Sequence, residues 1–269
     1  MRTKIIENNF DSVVGNKAAI SILQNIIASG NIASAYLFNG ISGVGKCLTS
    51  TIFARYLVES DVEMLVVKGV ESIKIEQIHE AITFASIKPV IGNRKFIIID
   101  AETGLSEKCG NALLKLLEEP SSYCTIIIIS SSEVLPTIKS RCHIIDFLPL
   151  SKVELLAVVD CEDNRISENI IDAACGSAKN ALQLIEAWDI LSPFVKDLSN
   201  PPTSILKVLS YSNELTMLDF HHQVLLLQLL ATTWWKSGNQ KMLNKATIAK
   251  SYLDCKVSPP KVWDNLLVP

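Results

Sequence analysis

The pattern of apolar and polar positions changes character near Pro149. Before it, five short greasy runs stand out, at residues 36–38, 64–67, 96–99, 125–129 and 143–147. In Ile126-Ile127-Ile128-Ile129 no alternate position is polar, the signature of a strand covered on both faces by helices. Between the runs, apolar residues recur at helical spacing. Leu48, Ile52, Phe53 and Tyr56 share one face, and Ile75, Ile78 and Ile82 share another. Leu105, Cys109, Ala112, Leu113, Leu116 and Leu117 make a third stripe, ended by Glu118-Glu119-Pro120. Strands alternating with helices predict an α/β fold on a parallel sheet. After Pro149 the strand signal stops. Residues 151–188 read as short helices with a turn at Gly176-Ser177, and Ser192-Pro193 and Asn200-Pro201-Pro202 read as a linker. From Thr203 the pattern is helical, broken near the end by Ser258-Pro259-Pro260. The expected division is 1–149, 150–190 and 191–269.

Composition narrows the class. With 269 residues, 48% of them hydrophobic and 20% charged, the chain can bury a large core across two or three domains. A net charge of −3 excludes a chain that grips DNA by its overall field, so any DNA contact is local or shared with partners. The longest greasy run, 224–235, is interrupted by Gln228, Thr232 and Thr233 and falls short of the roughly 20 apolar residues a membrane span needs. The opening MRTKIIENNFDS carries no signal-peptide core, so the expectation is a cytoplasmic protein with no membrane partner. Seven cysteines (47, 109, 124, 142, 161, 175 and 255) never form CxxC, which favours reduced thiols over disulfides or zinc. His79, His143, His221 and His222 show no metal-ligand spacing. Trp234, Trp235 and Trp263 fall on helical patterns and are assigned to core or interface.

The chemistry concentrates after the first strand. Gly40-Ile41-Ser42-Gly43-Val44-Gly45-Lys46-Cys47 fits a phosphate-binding loop except at its last position. Gly40, Gly43, Val44 and Gly45 would curl backbone N–H groups around phosphate, the next helix would add its positive end, and Lys46 would reach the outer phosphates. The final hydroxyl that normally holds Mg²⁺ is replaced by the Cys47 thiol, a poor ligand for a hard ion. Asp100 closes the third run where an acid would hold Mg²⁺ through water. The next position, where the hydrolytic base would stand, is Ala101. Glu102 follows, and strand alternation predicts that it points the other way. Losing an acid or base commonly costs a factor of about 10² to 10⁴, so little ATP hydrolysis is expected from this chain alone. Two further cations allow two readings each. Arg141, in Ser140-Arg141-Cys142, is an ordinary surface residue or a guanidinium presented to a neighbour's γ-phosphate. Lys179, in Gly176-Ser177-Ala178-Lys179, opposes its helix dipole and is tolerated by exposure or serves an anion, the first being the plainer account.

Taken together these segments resemble the AAA+ clamp-loader subunits of bacterial DNA polymerase III, and among them the delta-prime type. The resemblance runs through Phe10-Asp11-Ser12-Val13-Val14-Gly15, Ala35-Tyr36-Leu37-Phe38 leading into the loop, and Ile73-Lys74-Ile75-Glu76-Gln77-Ile78. Its most specific parts are Asn111-Ala112-Leu113-Leu114-Lys115-Leu116-Leu117-Glu118-Glu119-Pro120 and Leu135-Pro136-Thr137-Ile138-Lys139-Ser140-Arg141-Cys142. The tail Val257-Ser258-Pro259-Pro260-Lys261-Val262-Trp263 is similar in a looser way. The resemblance implies a five-stranded AAA+ P-loop sheet over 1–149, a helical lid over 150–190 and an all-α collar over 191–269. It implies a place in a ring-like assembly that opens the sliding clamp and sets it on primed DNA, with gamma/tau and delta subunits as partners. In that family the Ser-Arg-Cys arginine acts in trans on a neighbour's ATP, a role that falls on Arg141, and the sensor-2 position corresponds to Lys179. Delta-prime subunits are typically hydrolysis-deficient, so the chain would be no catalyst by itself but part of the polymerase holoenzyme, binding ATP or ADP weakly. Many members insert a four-cysteine zinc module after the first helix; residues 56–64 contain no cysteine, so no zinc is expected. Two rivals remain: an ATP-hydrolysing gamma-type subunit, and a stand-alone nucleotide-binding regulator.

Overall fold

The isoleucine-rich runs form the middle of a five-stranded parallel sheet. The computed structural model describes residues 9–69, 72–159, 167–202, 204–255 and 257–268. The first eight residues, Cys161 and Thr203, on which expectations above fall, lie outside them. The chain divides into two compact units, Met1–Glu154 and Leu155–Pro269.

In the first unit, α1 (Lys17–Ser29) precedes β1 (Ala35–Asn39), and α2 (Lys46–Arg55) leads to β2 (Met64–Lys68). Then come α3 (Ile75–Ser86), β3 (Lys95–Asp100), α4 (Glu107–Glu118), β4 (Cys124–Ser130), the single turn α5 (Pro136–Lys139) and β5 (His143–Asp146). The strand order is β2-β3-β4-β1-β5, with every pairing parallel. Every residue of β3 and β4 is buried, whereas the edge strands β2 and β5 keep exposed positions. Side chains alternate between two cores as a pleated strand requires. Ile97, Ile99, Ile126 and Ile128 pack with Ile78 and Leu113 from α3 and α4. Phe96, Ile98, Ile127 and Ile129 pack with Leu23, Ile52 and Phe53 from α1 and α2 on the opposite face. Each central isoleucine therefore meets helix on its own side. The loops after β1 and β3 emerge together at the carboxyl edge of the sheet, the usual place for a ligand in such folds.

The opposite edge is closed by a polar knot. Glu63 and Lys95 are both buried, with Lys95 Nζ 3.8 Å from Glu63 Oε2. Glu63 Oε1 accepts from the backbone N–H groups of Val90 at 2.6 Å and Ile91 at 2.9 Å. The Lys95 ammonium donates to the carbonyls of Phe84 and Ile87, at the negative end of α3, and lies 3.9 Å over the Phe84 ring. Two charges that would be costly alone thus pin the connection between α3 and β3.

The second unit is helical throughout its described residues. α6 (Lys152–Val158) contains the division between Glu154 and Leu155. α7 (Glu168–Ala173), α8 (Ala178–Glu186), α9 (Trp188–Leu198), α10 (Ile205–Thr216), α11 (Phe220–Lys236), α12 (Gln240–Asp254) and α13 (Pro259–Leu267) follow. Caps of the favoured types start several of them. Ser167, Ser177, Asp219 and Asn239 each accept from a backbone N–H three residues on. α11 is the hub, burying Leu225, Leu226, Leu229, Leu230 and Trp234 and packing on α7, α9 and α12. Buried Trp263 of α13 donates its indole N–H to Gln223 Oε1 at 2.9 Å, so two of the tryptophans expected in core are there, while Trp235 is exposed.

One expectation is corrected. Ser192-Pro193 is no linker: Pro193 lies inside α9. The ring removes one donor to the carbonyl four residues back. The helix survives because Leu191, Val195 and Leu198 are buried and Trp234 donates its indole N–H to the Leu198 and Ser199 carbonyls, both at 3.2 Å. Tertiary burial outweighs the local break. Asn200-Pro201-Pro202 does separate helices, and Pro259-Pro260 opens α13, where proline is welcome.

The polar knot sets a prediction. Glu63→Ala strands the Lys95 ammonium and costs about 3–5 kcal/mol in denaturant unfolding. The Ile91 N–H, opposed by burial and aided by the Val90 N–H and Lys95, holds the Glu63 carboxyl below its usual value. The native state therefore favours the ionised form. That contribution is present above the unfolded value of about 4.3 and is lost as pH falls through the lowered native value. The variant should lose stability less steeply than wild type below about pH 4.3.

Candidate functional site

The loop between β1 and α2 has the backbone of a phosphate cradle. Gly40 has φ +150°, and a Cβ there would lie 2.2 Å from the Phe147 carbonyl oxygen. Gly45 has φ +95° and caps α2. Neither position tolerates a side chain without strain. Val44 is buried and Gly43 turns the chain between them. Lys46 opens α2 with its side chain fully buried.

The lysine is saturated. Its Nζ donates to the carbonyls of Gly40 at 2.7 Å and Ile41 at 2.6 Å, and stands 2.6 Å from Glu102 Oε1. Those three partners use its three N–H donors. The other Glu102 oxygen accepts from Ser42 Oγ at 2.6 Å. The expectation that Glu102 points away is thereby overturned. Alternation holds only while the strand lasts, and β3 ends at Asp100. Beyond it the chain turns: Gly104 N donates to the Ala101 carbonyl at 3.0 Å and Glu102 N to Asp100 Oδ1 at 3.4 Å. The turn swings the Glu102 carboxylate onto the cradle, where it sits against the groups that would meet phosphate.

Asp100 is also paired. The β2–β3 register sets Lys68 opposite it, and Lys68 Nζ lies 3.2 Å from Asp100 Oδ2. The hydrogen bond to Asp100, then its charge, raises the Lys68 ammonium above its ordinary value. Cys47 is next in line. Loss of water around the sulfur, then the Asp100 charge, pushes its thiol upward. The thiol stays protonated at neutral pH and is poorer still as a metal ligand. Ala101 is buried and faces a cavity of about 320 Å³, lined also by Leu105, Glu107, Ser130, Glu133 and Leu135.

The structure thus brings Gly40, Gly43, Val44, Gly45, Lys46, Cys47 and Asp100 together. It adds Lys68 and Glu102, which the sequence reading passed over or dismissed. Lys68 had one readable signal, since the runs at 64–67 and 96–99 are equally long and each is followed by a charged residue of opposite sign. The two remaining candidates stand elsewhere. Arg141 is exposed between α5 and β5, its fork donating to Glu118 Oε1 at 2.9 Å and to the Thr137 carbonyl at 2.9 Å. Lys179 belongs to the second unit, exposed in the first turn of α8.

The groups present fit phosphate better than they fit its usual metal. The glycine loop, Lys46 and the α2 N-terminus suit a phosphate once Glu102 gives way. Mg²⁺ requires oxygen ligands near 2.0–2.1 Å. Here a thiol replaces the hydroxyl and an ammonium already holds the carboxylate. Among the described residues, no group of three or more His, Cys, Asp or Glu could hold a metal ion, and no helix is long and apolar enough to cross a membrane.

Comparison with known proteins finds matches along both parts of the chain. Residues 57–151 match the family described as DNA polymerase III, delta subunit, and residues 152–269 match the cyanobacterial DNA polymerase III delta prime C-terminal domain. DNA polymerase III subunit tau/gamma of Haemophilus influenzae is 29% identical over 208 residues, covering 66% of this chain and 30% of the relative. Subunit tau of Bacillus subtilis is 29% identical over 211 residues, covering 66% and 37%. This chain thus spans roughly a third of the length of those two relatives. Subunit gamma of Buchnera aphidicola subsp. Schizaphis graminum is 24% identical over 311 residues, covering 97% and 81%. A gamma subunit-related protein of Thermotoga maritima superposes over 91% of this chain and 97% of its own with a TM-score of 0.53 at 18% identity, a likeness of fold.

The Lys46–Glu102 contact generates a prediction. Glu102 competes with phosphate for one ammonium, so Glu102→Ala tightens the binding of TNP-ATP by about three- to tenfold. Equal affinities for variant and wild type in a fluorescence titration would remove Glu102 from the competition.

Proposed function

Because the chain belongs to the clamp-loader subunits of DNA polymerase III, we propose that it works as a delta-prime-type member, hydrolysis-deficient, supporting neighbours that burn ATP. The observation that carries this reading is the state of the pocket. Lys46 is tied to Glu102, Asp100 is tied to Lys68, Ala101 stands where a base would be, and a thiol stands where Mg²⁺ would find a hydroxyl. The cradle is kept and the groups that cleave are gone.

In this reading Arg141 is the chain's catalytic contribution, offered in trans to ATP on an adjacent gamma/tau subunit. Its exposure and its tether to Glu118 support that use: the fork is presented from an edge and held in direction before any partner arrives. Residues 150–190 act as the lid, with Lys179 in the sensor-2 position, and 191–269 as the collar that joins gamma/tau and delta subunits. The sliding clamp and primed DNA are met through the whole complex, in the cytoplasm. ATP or ADP binds weakly in this chain's own pocket, and no zinc is needed.

The tau/gamma relatives and the intact Lys46 favour a second reading, a gamma-type subunit that hydrolyses ATP itself. Turnover by the purified chain separates them, and a reconstituted loader tests the in-trans role. The purified chain should show no turnover above background; hydrolysis abolished by Lys46→Ala would establish the second reading. In a reconstituted loader, Arg141→Ala should cut turnover at the site it faces by about 10³-fold, and Arg141→Lys should not restore it. DNA-stimulated ATPase unchanged in both variants would end the in-trans role.

A further inference from the structure

We propose that Lys68 is the pocket's built-in cation: its ammonium takes the place of a divalent metal at Asp100, so that whatever nucleotide the Gly40–Lys46 loop accepts is bound without metal. The inference rests on the reading of a kept cradle that does not cleave, and names the ionic form of ligand such a cradle takes.

Three observations carry it. The first is position. Lys68 ends the edge strand β2 directly opposite Asp100, and its Nζ lies 3.2 Å from Asp100 Oδ2. A hard divalent ion at Asp100, bound directly or through water, would share that space with a positive charge. The second is burial. The Asp100 side chain is 5% exposed, so it needs a counter-charge whether or not nucleotide is present. The Lys68 side chain is 65% exposed, on a flexible stem that reaches in from the rim. A buried anion with a cation arriving from solvent leaves the ammonium open on its outer side, free to meet a phosphate. The third is the neighbour. Cys47 stands at the position whose hydroxyl would complete a metal shell, and a thiol is a poor ligand for a hard ion. The missing hydroxyl and the lysine both act against the same ion.

The experiment uses the full chain in four forms: wild type, Lys68→Met, Cys47→Thr, and Lys68→Met with Cys47→Thr. Lys68→Gln replaces Lys68→Met if the methionine variant fails to fold. The first readout needs no nucleotide: the thermal midpoint in MgCl₂ against NaCl of equal ionic strength. Wild type and Cys47→Thr should not respond, and the double variant should gain about 2–4 °C from Mg²⁺. The second is TNP-ATP affinity in Mg²⁺ against EDTA. It should change by less than about twofold in wild type and by about tenfold in the double variant. Metal stabilisation of wild type equal to that of the double variant overturns the proposal, as does a double variant indifferent to metal in both readouts. Failure here is distinct from failure of the hydrolysis-deficient reading, which ATP turnover by the purified chain reports.

Discussion

A charge placed at the edge of a dry sheet must have its opposite beside it, and this constraint organises the pocket. β3 is buried along its whole length, so Asp100 emerges from apolar surroundings, and the Lys46 side chain at the start of α2 is itself fully buried. This chain meets that need internally. Glu102 answers Lys46 at 2.6 Å and Lys68 answers Asp100 at 3.2 Å. The same logic operates at the far edge, where Lys95 and Glu63 hold each other and the backbone of the α3–β3 connection. Unpaired, each of the buried members (Lys46, Asp100, Glu63 and Lys95) would destabilise the fold by far more than an exposed ion pair adds.

The internal pairing connects the fold to the proposed role. A subunit whose pocket needs ATP to neutralise it changes state as ATP comes and goes. One whose charges are already satisfied keeps its shape through the cycle of its neighbours. Rigidity of that kind suits a member that presents a fixed arginine, and Glu118 fixes the Arg141 fork in the same spirit. In the proposed reading, the thiol of Cys47 and the methyl group of Ala101 leave the site without groups that a metal-dependent cleavage would use.

Much of this was readable in the sequence, for reasons tied to particular residues. Ile126–Ile129 could only be a strand covered on both sides, and the glycines of the loop sit where the backbone takes positive φ or meets the Phe147 carbonyl. What escaped was non-local. Lys68 gains its meaning only from the register that sets it against Asp100, thirty-two positions on. Glu102 was misread because the alternation rule was carried past the last strand residue into a turn. Pro193 was misread because a local breaker was weighed without the Leu191, Val195 and Trp234 packing that holds α9 together. Local chemistry identified the elements, while pairing across the sheet and between helices decided what the charged residues do.

The central claim is that the pocket's own charges satisfy one another and leave no place for a catalytic metal. A crystal structure of the chain grown with ATP and Mg²⁺ tests it most directly. The account predicts Lys68 still on Asp100 and no octahedral ion beside Cys47. Lys68 swung out to solvent, with a hydrated Mg²⁺ bridging Asp100 and the phosphates, would contradict it.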